Sequence, residues 1–163
     1  MQFVKTWAVA ASGQLVHIGP QPLEVFSRHV QDSGDAREAG GILLGHVRGP
    51  HLEIIKASEP TFRDRRFRFL FERQAYHHHS VAKRCWLESG GTIRYIGEWH
   101  THPEDYPSPS LIDTYEWKVL AADRTDGRAL MALIVGCRDL YLEYMHANGE
   151  RLSLRHATEA ECR

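Results

Sequence analysis

The chain has 163 residues, with 20 Lys and Arg against 21 Asp and Glu and a formal net charge of −1 with histidine neutral. That length suits one domain with a core of its own, and the near-neutral charge offers no general pull toward nucleic acid or an anionic membrane. No apolar run approaches the about 20 residues of a membrane-spanning helix, and Cys85, Cys137 and Cys162 fit neither a disulfide framework nor a Cys-x-x-Cys zinc knuckle, so a cytoplasmic protein is expected.

Phe3 to Ala11 and Leu15 to Ile18 flank Ser12-Gly13-Gln14, which predicts a hairpin. Lys5 and the apolar run Trp7 to Ala11 have the look of a secretion signal, but the run is shorter than the roughly 7 to 15 residues such a segment needs and reads as a first strand. Leu23, Phe26 and Val30 recur at helical spacing after a proline, so a short amphipathic helix is expected from Pro22 to Gln31. A polar loop from Asp32 to Arg37 then delivers Glu38. Gly40 to Val47 and Leu52 to Ala57, joined through Arg48-Gly49-Pro50, form a second predicted hairpin whose first strand is apolar enough to be buried on both faces.

Between Phe62 and Arg73, the residues Phe67, Phe69 and Phe71 alternate with Arg66 and Arg68, which predicts a strand with one dry face and one arginine-rich face. Charges on such a face serve solvation and edge protection as readily as partner binding. Gln74 to Glu88 reads as a helix ending at Ser89-Gly90-Gly91. Its histidines His77, His78 and His79 point about 100° apart, so they are expected to be exposed and not to share an ion. Thr92 to Trp99 is a predicted strand, and Leu111 to Ala122 a predicted helix with Leu111, Tyr115 and Leu120 toward the core. Ala129 to Val135, Leu140 to His146 and Leu152 to His156 form a closing meander, with a loose tail from about residue 158. Strands interrupted by helices in this order predict a single α/β domain, a mixed sheet with helices on its faces.

Chemistry is concentrated in Gly97-Glu98-Trp99-His100-Thr101-His102-Pro103, six further residues, then Ser110-Leu111-Ile112-Asp113. His100 and His102 are residues i and i+2 of a strand end, so their imidazoles point to one side. Ser108-Pro109-Ser110 opens a helix and places Asp113 in its first turn, beside the positive end of the dipole. Two neutral nitrogens and one carboxylate are the donor set of an open zinc site whose fourth position is left for water. Glu98 shares the strand parity of His100 and is a rival ligand, with an orienting role as the other reading. Glu38, at a strand entrance before two glycines, reads on its own as a solvated carboxylate. The Ser110 hydroxyl is the candidate oxyanion donor, although Ser-x-x-Asp at a helix start is also a capping pattern.

These residues resemble the JAMM (MPN+) zinc isopeptidases, whose pattern is an upstream Glu, His-Ser/Thr-His-Pro, six residues, Ser, two residues and Asp. Every position is matched, and Glu38 before Ala39-Gly40-Gly41-Ile42-Leu43-Leu44-Gly45 supplies the upstream member. The resemblance implies an α/β sandwich around a curved sheet, Zn²⁺ on His100, His102 and Asp113, Glu38 as general base and Ser110 as oxyanion donor. It implies cleavage of the amide bond after the C-terminus of a ubiquitin-like modifier or of a conjugated protein tail, which either reverses conjugation or primes it by trimming a precursor. The wording Gly97 to Glu104, and Glu59-Pro60-Thr61 with Asp64-Arg65-Arg66, look like a bacterial branch found in CBASS anti-phage operons, which reverses conjugation of a cGAS-like nucleotidyltransferase. The alternatives are a non-catalytic MPN interaction scaffold and a metal-dependent hydrolase of small amides or nucleic acid. The complete set of five site residues weighs against the first, and the absence of a basic-aromatic stripe against nucleic acid.

Overall fold

The computed structural model describes residues 2–163. Its elements are β1 (Thr6–Val9), β2 (Leu15–Ile18), α1 (Pro20–Arg28), β3 (Gly40–Arg48), β4 (His51–Ala57), β5 (Arg65–Arg66), β6 (Phe71–Glu72), α2 (Ala75–Glu88), β7 (Arg94–Thr101), α3 (Leu111–Ala122), β8 (Leu130–Val135), β9 (Leu140–Met145) and β10 (Arg151–His156). The α/β class and both hairpins follow the sequence reading, with α1 displaced so that it starts at Pro20.

The sheet is mixed, as expected, but it is a closed barrel and not the expected curved sheet. Eight strands close into a barrel in the order β1-β10-β9-β8-β7-β3-β4-β2. Closure happens at β1, which pairs antiparallel with β2 on one side and with β10 on the other. No alternation within a strand reports which distant strand will cover its edge, and closing the sheet removes the two exposed edges an open one would leave. Two pairs are parallel, β2 with β4 and β7 with β8. α3 is the crossover of the second pair.

The barrel interior gathers Trp7, Val16, Leu43, Ile54, Trp99, Met131, Leu133 and Leu142, and α1 adds Val25 and Phe26 to the same cluster. Outside the barrel, Trp117 and Ala121 of α3 pack on Leu130, Ala132 and Ile134, while Val81 and Cys85 of α2 pack on Ile42 and Leu44. This two-sided burial explains why β8 and the first part of β3 are apolar without alternation.

Three local expectations fail. The stretch Phe62 to Arg73 is a flap, with β5 and β6 as its only strand residues, folded back through a bond from Phe67 N–H to the Leu70 carbonyl at 2.9 Å. Its faces are also inverted: Phe67 and Phe69 are exposed, while Arg66 and Arg68 turn inward to backbone carbonyls of the 33–38 loop. A guanidinium satisfying several carbonyls outweighed aromatic burial. In α3, Leu111 and Tyr115 are exposed, because the first turn overhangs a groove and only Trp117 and Ala121 are buried on the sheet. His78, finally, is fully buried. Its Nε2 donates to Asp64 at 3.2 Å and its Nδ1 accepts from the Ser58 hydroxyl at 2.6 Å.

Candidate metal centre

β7 turns His100 outward and Thr101 inward, so His100 and His102 share the outer face at the strand's carboxyl end. α3 begins nine residues beyond His102 and brings Asp113 to them. His100 Nε2 and His102 Nε2 are 3.0 Å apart, His100 Nε2 lies 3.2 Å from Asp113 Oδ1, and His102 Nε2 lies 3.4 Å from Asp113 Oδ2. The two imidazoles face different oxygens of the one carboxylate, and one ligand atom from each of the three residues lies within 4.8 Å of the others, close enough to share an ion such as zinc. Among the described residues these three form the one group of three or more His, Cys, Asp or Glu side chains that converges closely enough to share an ion.

Ser110 is the N-cap of α3 in a full capping box: its Oγ accepts from the Asp113 N–H at 3.1 Å, and its own N–H donates to Asp113 Oδ2 at 2.6 Å. Pro109 sits just ahead of the cap. The box fixes the Asp113 carboxylate and leaves the Ser110 O–H free to donate into the groove. Burial opposes ionisation of Asp113, but hydrogen bonds from His100, His102 and Ser110 outweigh it and hold the carboxyl well below the usual range.

Glu38 precedes β3, whose register with β7 pairs Gly40 with His100. Two residues further along that ladder, Glu38 falls across from His102. Thr101 secures the approach, its Oγ1 accepting from the Ala39 N–H at 3.0 Å and donating to Gln31 at 2.8 Å. Glu38 is only 4% exposed, and burial, with help from Asp113 and Glu116 and against His102, pushes its carboxyl up to about 8 in the metal-free site. A bound cation acts in the opposite direction.

The rival ligand Glu98 is engaged elsewhere. It takes two bonds from Arg73, at 2.8 and 3.0 Å, and one from the Tyr95 hydroxyl at 2.7 Å. Tyr95 and Glu98 reach the same face because a bulge in β7 skips Ile96 in the ladder with β3.

The site opens into a groove of about 760 Å³ between the flap, residues 68–73, and α3. Phe69, Ile112, Tyr115 and Val119 line it while remaining substantially exposed, with Arg73 and Glu98 among its polar walls. The loop after His102 is pinned to the turn that follows β8, where Cys137 N–H donates to the Glu104 carbonyl at 2.7 Å and Arg138 N–H to that of Asp105 at 2.9 Å. A side chain on Gly136 would strike Pro107 and the Glu104 carbonyl. The five residues singled out in the sequence, Glu38, His100, His102, Ser110 and Asp113, all line this groove, whereas the flap that walls it was missed. The sole signal was the arginine spacing, which reads equally well as a strand.

The profile of the family described as prokaryotic homologs of the JAB domain matches residues 21–153. A Pseudomonas aeruginosa protein (strain BWHPSA011 / Pa011) named CD-NTase/cGAS isopeptidase is 48% identical over 92% of this chain and 95% of its own. Proteins of the same name from Escherichia coli (strain TW11681) and Vibrio cholerae (serotype O1, strain ATCC 39315 / El Tor Inaba N16961) are 44% and 40% identical, each over 64% of this chain and 65% of theirs. The solution structure of protein DSY2949 from Desulfitobacterium hafniense superposes with a TM-score of 0.57 at 18% identity, over 87% of this chain and 89% of that one, a likeness of fold alone. On the profile and these identities, the chain belongs to the prokaryotic homologs of the JAB domain.

Proposed function

We propose that the protein is a zinc-dependent isopeptidase that hydrolyses the amide bond after the C-terminus of a ubiquitin-like modifier or conjugated protein tail, releasing a cGAS-like nucleotidyltransferase from its conjugates in anti-phage defence. The observation that carries the reading is the His100, His102, Asp113 triangle with Glu38 beside it. The shared name of the relatives supports the substrate. When bound, zinc supplies Lewis acidity and lowers the pKa of water toward neutrality.

The chain's own groups do the rest. Glu38 takes the proton of the attacking water and passes it to the leaving nitrogen. Ser110, held by its cap at the groove mouth, donates to the developing oxyanion. β6 has β5 as its only neighbour and its residues line the groove, so its second edge is available to an extended tail, with Phe69, Ile112 and Tyr115 beside the tail's side chains. The test is incubation of zinc-loaded protein with tail-extended and lysine-linked forms of candidate modifiers and of the nucleotidyltransferase, read by intact mass. Cleavage directly after the native tail is expected, with Glu38→Gln slower by about 10² to 10⁴-fold. Equal cleavage of native and scrambled tails would refute the substrate.

A further inference from the structure

Glu38 lies one step beyond the barrel ladder. Ala39 is still within it, its carbonyl accepting from the Thr101 N–H at 2.8 Å. Both peptide groups of Glu38 instead go to the flap. Its N–H donates to the Phe67 carbonyl at 2.7 Å, and its carbonyl accepts from Arg66 Nε, also at 2.7 Å. Arg66 Nη2 adds a bond to the Arg37 carbonyl at 3.2 Å. One planar guanidinium thus bridges two successive carbonyls, a geometry that lysine cannot copy.

The flap is in turn anchored at its base. Asp64 Oδ1 accepts from the Gln74 N–H and Oδ2 from the Thr61 N–H, both at 2.6 Å, which ties its two ends together. The Asp64 carboxylate can only accept, so His78 Nε2 carries the proton toward it, and the buried neutral imidazole is left with Nδ1 to accept from the Ser58 hydroxyl, whose oxygen also accepts from the Ile42 N–H of β3 at 2.9 Å. The flap base is thereby fastened to the same strand that Glu38 precedes. Gly40 permits close seating, since a Cβ there would lie 2.6 Å from the Phe71 ring.

We propose that Arg66 is a positioning residue for Glu38, and that the flap, through Arg66 and the Phe67 carbonyl, sets where the general base stands. The proposal rests on the reading of Glu38 as the base. Arg66 is absent from the groove lining, whereas Arg68 and Arg73 belong to it, so Arg66 acts on turnover through Glu38 and not by holding substrate. The wall that receives the tail and the support of the base are one structural unit.

The experiment compares wild type, Arg66→Ala and Arg66→Lys as zinc-loaded full chains on a cleavable tail substrate, together with amide exchange at Glu38 and zinc content. A misplacement near 1 Å lowers rate on the order of 10²-fold, so Arg66→Ala should lose kcat on that scale, with KM and zinc stoichiometry unchanged. Its Glu38 amide should exchange faster while those of Ile42 to Leu44 do not. Methylguanidinium should restore part of the kcat, and Arg66→Lys should fall between the two. A raised KM at unchanged kcat, or an unchanged Glu38 exchange rate, would overturn the proposal. Should Arg66→Ala fail to fold, Arg66→Lys carries the exchange comparison alone, and equality with wild type refutes it. Failure of the base reading is seen separately: Glu38→Gln would then turn over normally, while the exchange data still report on Arg66.

Discussion

Replacing Glu38 by Gln should stabilise the metal-free protein, and the gain should depend on pH. In that state burial raises the Glu38 carboxyl from 4.5 to about 8. Between those values the folded chain keeps a proton that the unfolded chain has lost, so wild-type stability falls as pH rises through the window. At about 1.4 kcal/mol per pH unit, this sets an upper bound of roughly 5 kcal/mol at pH 8 and above. The groove admits water on one side, so about 2 kcal/mol is the expected gain at a more realistic effective dielectric. Gln keeps the size and hydrogen bonding of the protonated acid and cannot ionise. Thermal unfolding of chelator-treated wild type and Glu38→Gln at pH 5 to 8 should show melting temperatures that diverge with pH, by about 2 to 4 °C per kcal/mol for a chain of this size. Zinc should shrink the divergence, because a cation beside the carboxylate stabilises its charged form. A difference that stays flat from pH 5 to 8 would refute the argument and place Glu38 in a better solvated setting.

Two further outcomes follow from the same geometry. His100→Ala, His102→Ala and Asp113→Ala should each lose zinc on dialysis, measured by metal analysis, since perturbing even the partners of ligands costs about 10 to 100-fold in affinity and removing a ligand costs more. Retention of a full equivalent by the double variant His100→Ala/His102→Ala would displace the site. Ser110→Ala removes both a cap and a hydroxyl: about 1 kcal/mol of stability from the cap, and roughly 10²-fold in turnover if the hydroxyl serves the oxyanion. Loss of stability without loss of turnover would leave the capping box as its whole role.

The convergence of His100, His102 and Asp113 was legible in the sequence because every part of it is local. His100 and His102 are two residues apart on one strand, Asp113 is the third residue of the next helix, and Ser110 is its cap, so strand parity and capping chemistry are enough to bring them together. Glu38 depends on a long-range pairing, β3 with β7, that no local pattern contains. Its place in the sequence reading came from the family motif. The flap and the α3 rim were misread for one reason: periodicity assumes that apolar residues seek the core. Phe69 and Tyr115 instead line a groove, and they, like Phe67 and Leu111, stay exposed. Burial of His78 was invisible because its partners, Asp64 and Ser58, lie 14 and 20 residues away across the flap.

The topology accounts for why the site stands where it does. β7 and β8 are the parallel pair joined by a helix, and a parallel crossover must leave the sheet at the carboxyl end of its first strand. There the last side chains of β7 meet the first turn of α3, whose capping N–H group and positive dipole end favour the Asp113 carboxylate. Ligands collect at such crevices in open α/β sheets, and the same logic holds here although the sheet has closed into a barrel. β3 runs antiparallel to β7, so its entrance lies at the exit of β7, and Glu38 before it is delivered to His100 and His102 without any further loop. The flap follows β4, which leaves β3 at the far end of the hairpin and returns to the same rim, close enough for Arg66 and Phe67 to grip the Glu38 backbone. His100, His102, Asp113, Glu38 and the flap therefore share one end of the barrel by strand direction alone, with the 49–50 and 127–129 turns at the opposite rim.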